Sequence, residues 1–293
     1  LKKKMKNSIQ NISIFLLQLN WDEEILLNPK QCQRQEQFLS LMENIIYQDS
    51  LKLKNVNKVH VVLSLPSGAH FFKNINILVY QKLIEFIYKM NCLAPQKKCI
   101  ECPLSSSCRY YHYTGENFRY YPGILIANDF FQKSIYDREE CITFDFYLIG
   151  NTVQCYQYIQ IFFEDYLQQK VAGALFYVKS IQIEQLEETE IHISKLKFTS
   201  IVNDDHFFET YNNMINYYNQ HYQCQLNELQ ILPYELKNVK KINLNNIQLK
   251  TKKIILKGIL YNIVFQQEIK IPSSIKTIGI GNYNMIGGGY FEN

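Results

Sequence analysis

No apolar run in this 293-residue chain reaches the roughly 20 residues a membrane-crossing helix needs; Ile254 to Phe265 is short and broken by Lys257. No membrane contact is therefore expected. Leu1-Lys2-Lys3-Lys4-Met5 and the apolar Ile12 to Leu19 mimic a signal peptide, but Asn20-Trp21-Asp22-Glu23 stands where the small residues of a cleavage site belong. A cytoplasmic, reducing location follows. Charge of one sign is also scarce: 31 basic against 27 acidic residues leave a net +4, too little by itself to announce a nucleic-acid binder. No internal repeat is visible, and neither a Ser-His-Asp order nor a convergent carboxylate pair points to a conventional hydrolase. Tryptophan is limited to Trp21, while 22 tyrosines, 18 phenylalanines and abundant Asn, Ile and Lys read as the record of an AT-rich genome.

The length allows about two domains with modest cores. Ile12 to Leu19 is strand-like, and Gln33 to Tyr47 has helical spacing. Val59 to Leu65 is a β-branched strand stopped by Pro66-Ser67-Gly68, and Ile75 to Met90 is an amphipathic helix leading into Cys92. A tyrosine-rich linker, Tyr110 to Tyr121, ends at Pro122-Gly123. From Cys141 onward, strand 142–149, helix 153–167, strands 172–183 and 190–198, helix 206–222 and strand 252–265 give a β-α-β-β-α-β order, the ferredoxin-like arrangement.

Three clusters carry chemistry. Cys92, Cys99, Cys102 and Cys108, spaced C-x6-C-x2-C-x5-C, suit a structural Cys₄ zinc site, with unligated thiols and disulfides as the alternatives. Cys32, Cys141, Cys155 and Cys224 read as small core fillers. Lys237 to Lys257 holds seven lysines and no acidic residue, either a phosphate-binding stretch or a solvated surface. Five of the eleven glycines lie between Ile275 and Glu292, where bare backbone could turn its N–H groups to an anion or simply form a hairpin.

The strand, the Leu65-Pro66 turn, the helix, Cys92 and then Cys99 to Tyr110 (C-I-E-C-P-L-S-S-S-C-R-Y) together resemble the cysteine-bearing branch of the CRISPR repeat-RNA processing endoribonucleases. That family belongs to the RAMP superfamily of repeat-associated RNA-binding proteins. Glu140 to Gly150 looks like the strand opening its second domain, and Leu256-Lys257-Gly258 with Ile278 to Gly281 and Gly287 to Tyr290 is similar to its closing strand and glycine-rich loop. The resemblance implies an α+β fold of tandem ferredoxin-like (RRM-like) domains: 1–122, including the Cys₄ loop 92–108, and 123–293, including the glycine-rich loop 279–289.

It further implies cleavage without a catalytic metal. A base takes the ribose 2′-OH proton, the alkoxide attacks the adjacent phosphate, an acid protonates the departing 5′-oxygen, and the guide product is retained. Among six histidines, His70 beside Lys73 is the favoured catalytic candidate. His60 stands second, because its place in an alternating strand reads first as a core or edge histidine. Repeat RNA would be held by Gly279, Gly281, Asn282, Tyr283, Gly287, Gly288 and Gly289 and by Lys250, Lys252, Lys253 and Lys257, with tyrosines stacking on bases. Other CRISPR-associated subunits are expected partners. The alternative is a non-catalytic RNA-binding subunit of an effector complex.

Overall fold

The structure, a computed structural model, describes residues 55–72, 75–94, 98–114, 121–127, 133–249 and 252–292. All of them fall in one compact unit. The expected strand 12–19 and helix 33–47 lie outside the described residues.

The first half builds one antiparallel sheet. Strand β1 (Val56–Leu65) ends where Gly68, at φ 67°, donates its N–H to the Leu65 carbonyl in a turn. A two-residue strand β2 (Ala69–His70) and helix α1 (Ile75–Asn91) follow. Val79, Tyr80, Leu83, Ile84, Phe86 and Ile87 recur on the α1 face that enters the core. The cysteine loop leads into the short helix α2 (Arg109–Tyr113), then β3 (Ile124–Ala127), the two-residue β4 (Ile135–Tyr136) and β5 (Glu140–Ile149). Helix α3 (Tyr156–Ile161) runs on through a π-helical turn at Phe162–Tyr166, and the small hairpin of β6 (Lys170–Val171) and β7 (Ala174–Leu175) precedes β8 (Tyr177–Gln185). The sheet order is β3-β5-β1-β8.

The second half repeats the plan. Strand β9 (Glu190–Phe198), helix α4 (Phe207–Tyr222), β10 (Tyr234–Leu249), β11 (Lys252–Pro272), helix α5 (Ser273–Ile278) and β12 (Phe291–Glu292) form a sheet ordered β10-β11-β9-β12. In each half the second and third strands pair, the third pairs with the first, and the first with the fourth, all antiparallel. Two successive β-α-β-β-α-β units with that order are tandem ferredoxin-like folds.

The frame of the repeat differs from the expected one. Strand β5 does not open the second unit: it pairs with β1 and β3 as the third strand of the first sheet, which therefore runs across the boundary expected at residue 122. The two sheets part between Gln185 and Glu190. The cause is combinatorial. A tandem β-α-β-β-α-β chain contains the same order shifted by half a unit, so β5-α3-β8-β9-α4-β10 spells it equally well. Only pairing chooses, and the pairing is fixed by side-chain alternation: Phe144, Phe146 and Leu148 of β5 must share the buried side with Val59, Val61 and Leu63 of β1.

The halves are packed together. The Tyr222 hydroxyl at the end of α4 donates to the carbonyls of His112 (2.9 Å) and Tyr121 (3.1 Å), and the turn Asn284–Ile286 packs on β3. Among the described residues no helix is long and apolar enough to cross a membrane.

Candidate nucleic-acid interface

Alternation along β1 sends Val59, Val61, Leu63 and Leu65 into the core, so Lys58, His60, Val62 and Ser64 take the opposite face. The register sets Asp145 of β5 directly across from His60. His60 Nδ1 lies 2.6 Å from Asp145 Oδ1, and Lys58 Nζ lies 3.6 Å from Oδ2, so both carboxylate oxygens are engaged. On the other flank β8 places Gln182 opposite His60 and Glu184 opposite Lys58. The side chains of Lys58, His60 and Asp145 are 23%, 33% and 27% exposed, within reach of a ligand yet partly shielded from water. In the tautomer that donates Nδ1–H to Asp145, the His60 Nε2 lone pair is free to accept a proton.

The tail approaches this site with a side chain. The Tyr290 hydroxyl is buried and has no hydrogen-bond partner among the described residues, and burial pushes its phenol far up, reinforced by Tyr147, Asp145 and Tyr218. Burial, then Asp145 and Glu184, does the same to Tyr147. Sequence reading missed Asp145 and Tyr290. Alternation puts His60 on the polar side of β1 and Asp145 on the polar side of β5, but only the register pairs them, and nothing local marks Tyr290.

The glycine-rich loop is built differently from what was expected. Its glycines are buried, and four of their five amides are spent inside the molecule. The N–H of Gly279 donates to Ile275 O (2.9 Å), Gly287 to Asn284 O (3.2 Å), Gly288 to Tyr283 O (2.8 Å) and Gly289 to Ile201 O (2.9 Å). Asn282 N–H donates to Asn203 Oδ1 (3.3 Å), and the Tyr283 hydroxyl donates to Lys257 O (2.8 Å). A Cβ on Gly279 would collide with the Gly288 carbonyl, one on Gly289 with the Ile280 backbone, and one on Gly281 with the Asn203 side chain. Close packing therefore accounts for these glycines, and the four amides paired inside are not available to a phosphate.

The lysine run does reach solvent. It lies on the β10–β11 ribbon, which β9 flanks only from Asn262 to Pro272, so that beyond Ile259 it continues as two strands. Lys240, Lys241 and Lys257 are exposed, and Lys237 pairs with Glu235 at 3.4 Å. Lys73 and Lys250 lie outside the described residues; Lys252 and Lys253 are described by their backbone alone.

The remaining histidines are scattered. His70 is exposed, its ring 4.3 Å from that of Phe72. His112 is held down by burial and by His221, which stacks on Tyr217 at 4.0 Å. His192 pairs with Glu268 (3.2 Å) and His206 with Asp205 (3.5 Å), both at the surface.

Cys92 follows α1, Cys99 and Cys102 bracket one helical turn, and Cys108 precedes α2; all four are free and partly exposed. Tyr110 is the focus of the loop, its phenol pushed up by burial and then by Cys99, Tyr88, Cys92 and Cys108. The donor chemistry fits zinc, but among the described residues no three His, Cys, Asp or Glu side chains stand close enough to hold an ion. Cys155 and Cys224 are buried, each pushed up to about 12 by burial, while Cys141 is only partly covered.

No family model matches the chain, and no curated protein matches it. Among solved structures, the chain is similar to a CRISPR associated protein Cas6, with 12% identity and a TM-score of 0.47 over 81% of this chain and 99% of that one. It is also similar to the product of a Cas6-related gene from Pyrococcus furiosus, with 13% identity and a TM-score of 0.46 over 81% and 98%. An RAMP protein binding different RNA substrates aligns with 14% identity and a TM-score of 0.44 over 80% and 98%. The strand order itself, not these likenesses, carries the fold.

Proposed function

We propose that the chain binds CRISPR repeat RNA and cuts it, with His60 as the general base. The observation that carries this reading is the partly exposed His60–Asp145–Lys58 cluster on the face of the first ferredoxin-like sheet opposite its core. Asp145 fixes the ring and stabilises the imidazolium as His60 Nε2 takes the ribose 2′-OH proton. The alkoxide attacks the adjacent phosphorus, the bond to the 5′-oxygen breaks as that oxygen takes a proton from solvent water, and a 2′,3′-cyclic phosphate and a 5′-hydroxyl remain. Lys58 supplies positive charge beside the phosphorane. The exposed ribbon lysines hold the RNA backbone.

Zinc belongs to the proposal as a structural ion on Cys92, Cys99, Cys102 and Cys108, supported by the donor set; binding it would require the four thiols to draw closer together. Other CRISPR-associated subunits are proposed partners, and the cytoplasm the proposed location. The second reading, an RNA-binding subunit that does not cut, is favoured by the double engagement of Asp145, since a cross-strand charge cluster stabilises a sheet without any chemistry.

Incubation with the cognate repeat RNA in EDTA distinguishes the two. Fragments ending in a cyclic phosphate support cleavage, and intact RNA in a retarded complex supports the second reading. Absence of a complex at low salt removes both, because phosphate neutralisation dominates affinity there.

A further inference from the structure

Beyond Leu65 the β1–β5 ladder turns and resumes as the short pair β2–β4. Glu139 N–H donates to Leu65 O, Ala69 pairs with Tyr136 and His70 with Ile135, and Phe71 N–H donates to Ser134 O. Alternation divides this ribbon into two sides. Phe71 and Tyr136 point inward and meet edge to face at 5.7 Å, with Phe71 buried. His70, Phe72 and Ile135 therefore point outward, where Phe72 is 88% and Ile135 57% exposed. A phenyl ring held in water forgoes the burial that drives folding, and Phe72 stands over the His70 imidazole with centroids 4.3 Å apart and ring planes tilted by 41°. Two rings beside one aliphatic side chain make an open ledge with an uncovered π-face.

We propose that Phe72, supported by His70, is a stacking platform for an unpaired nucleobase of the RNA. The inference rests on the RNA reading above and extends it from the phosphate backbone to the bases. The size of the ledge argues for a base rather than a protein. Three side chains of this kind offer on the order of 400 Å², about half of what each partner contributes to a standard protein interface, whereas one base needs a single ring-sized face. Position agrees, since the ledge stands at the end of the two strands that carry His60 and Asp145. From His60 to Leu65 the chain advances about 17 Å before the turn. His70, the sequence's favoured base, thereby becomes part of the platform.

The test compares an eight-nucleotide single-stranded oligoadenylate with an abasic ribose-phosphate chain of equal length, by fluorescence anisotropy at fixed salt. Wild-type protein is expected to bind the oligoadenylate more tightly than the abasic chain. Phe72→Ala should weaken oligoadenylate binding about tenfold and leave the abasic chain untouched, while Phe72→Trp keeps the wild-type value. Because the side chain is exposed, the Ala variant should melt as wild type does, so a lost fold cannot imitate the effect. Equal binding of oligoadenylate by Phe72→Ala and wild type, or equal weakening toward both chains, overturns the platform while leaving the RNA reading standing. Failure of the wild-type protein to bind either chain overturns the RNA reading and the platform with it.

Discussion

Gly289 sits at φ 75° with the Ile280 backbone where a Cβ would go, and Gly279 has the same φ against the Gly288 carbonyl. Both the conformation and the space are closed to a side chain. Gly289→Ala should cost about 2 kcal/mol or more and lower the melting temperature by roughly 5 °C. Gly173, at φ 88° with open space around it, supplies the control: its Ala variant meets only the backbone penalty, about 1 kcal/mol. Thermal melts of the two variants check the difference. The sequence showed the cluster but not its direction, since glycine amides serve an internal hydrogen-bond net and an external anion with the same residues. His112 gives a pH dependence of definite sign. Burial and His221 hold its folded pKa below the ordinary value, so its neutral form contributes stability at neutral pH that is lost as pH falls below about 6.5 toward the folded value. His112→Gln should therefore lose less melting temperature between pH 8 and pH 5.5 than wild type does.

Among elements, β1, α1 and α4 were legible because their burial follows one clean period, 2.0 or 3.6 residues, and β9 despite a break in alternation at Ser194–Lys195. Strand β10 was not, because Glu235 to Lys241 carries charge on most residues and Asn238 breaks the ladder at φ 55°. The lysines that obscured the strand are the ones the ribbon presents. Replacing Lys237, Lys240 and Lys241 together by Gln should weaken RNA binding at low salt and reduce the slope of log affinity against log salt by about 2. An unchanged slope would show these side chains to be bystanders. The site was half legible for the same reason: His60 lies in a readable strand, but its partner Asp145 is 85 residues away, and only the register of two strands joins them.

On the scale of the molecule, two ferredoxin-like sheets follow one another in sequence and are held together by contacts near their ends: Tyr222 of α4 on the carbonyls of His112 and Tyr121, and the glycine-rich turn on β3. The tail is thus a latch whose final strand pairs with β9 and whose Tyr290 stands near Asp145. The resemblance implied tandem units but could not fix their frame, because the frame is a property of long-range pairing. The most direct measurement is cleavage of cognate repeat RNA, in EDTA, by His60→Ala, Asp145→Asn and His70→Ala. The His60 dyad predicts a rate lower by at least about 100-fold for His60→Ala, a substantial loss for Asp145→Asn, and chemistry close to wild type for His70→Ala at saturating RNA. Wild-type cleavage by His60→Ala, with activity lost only in His70→Ala, would contradict it.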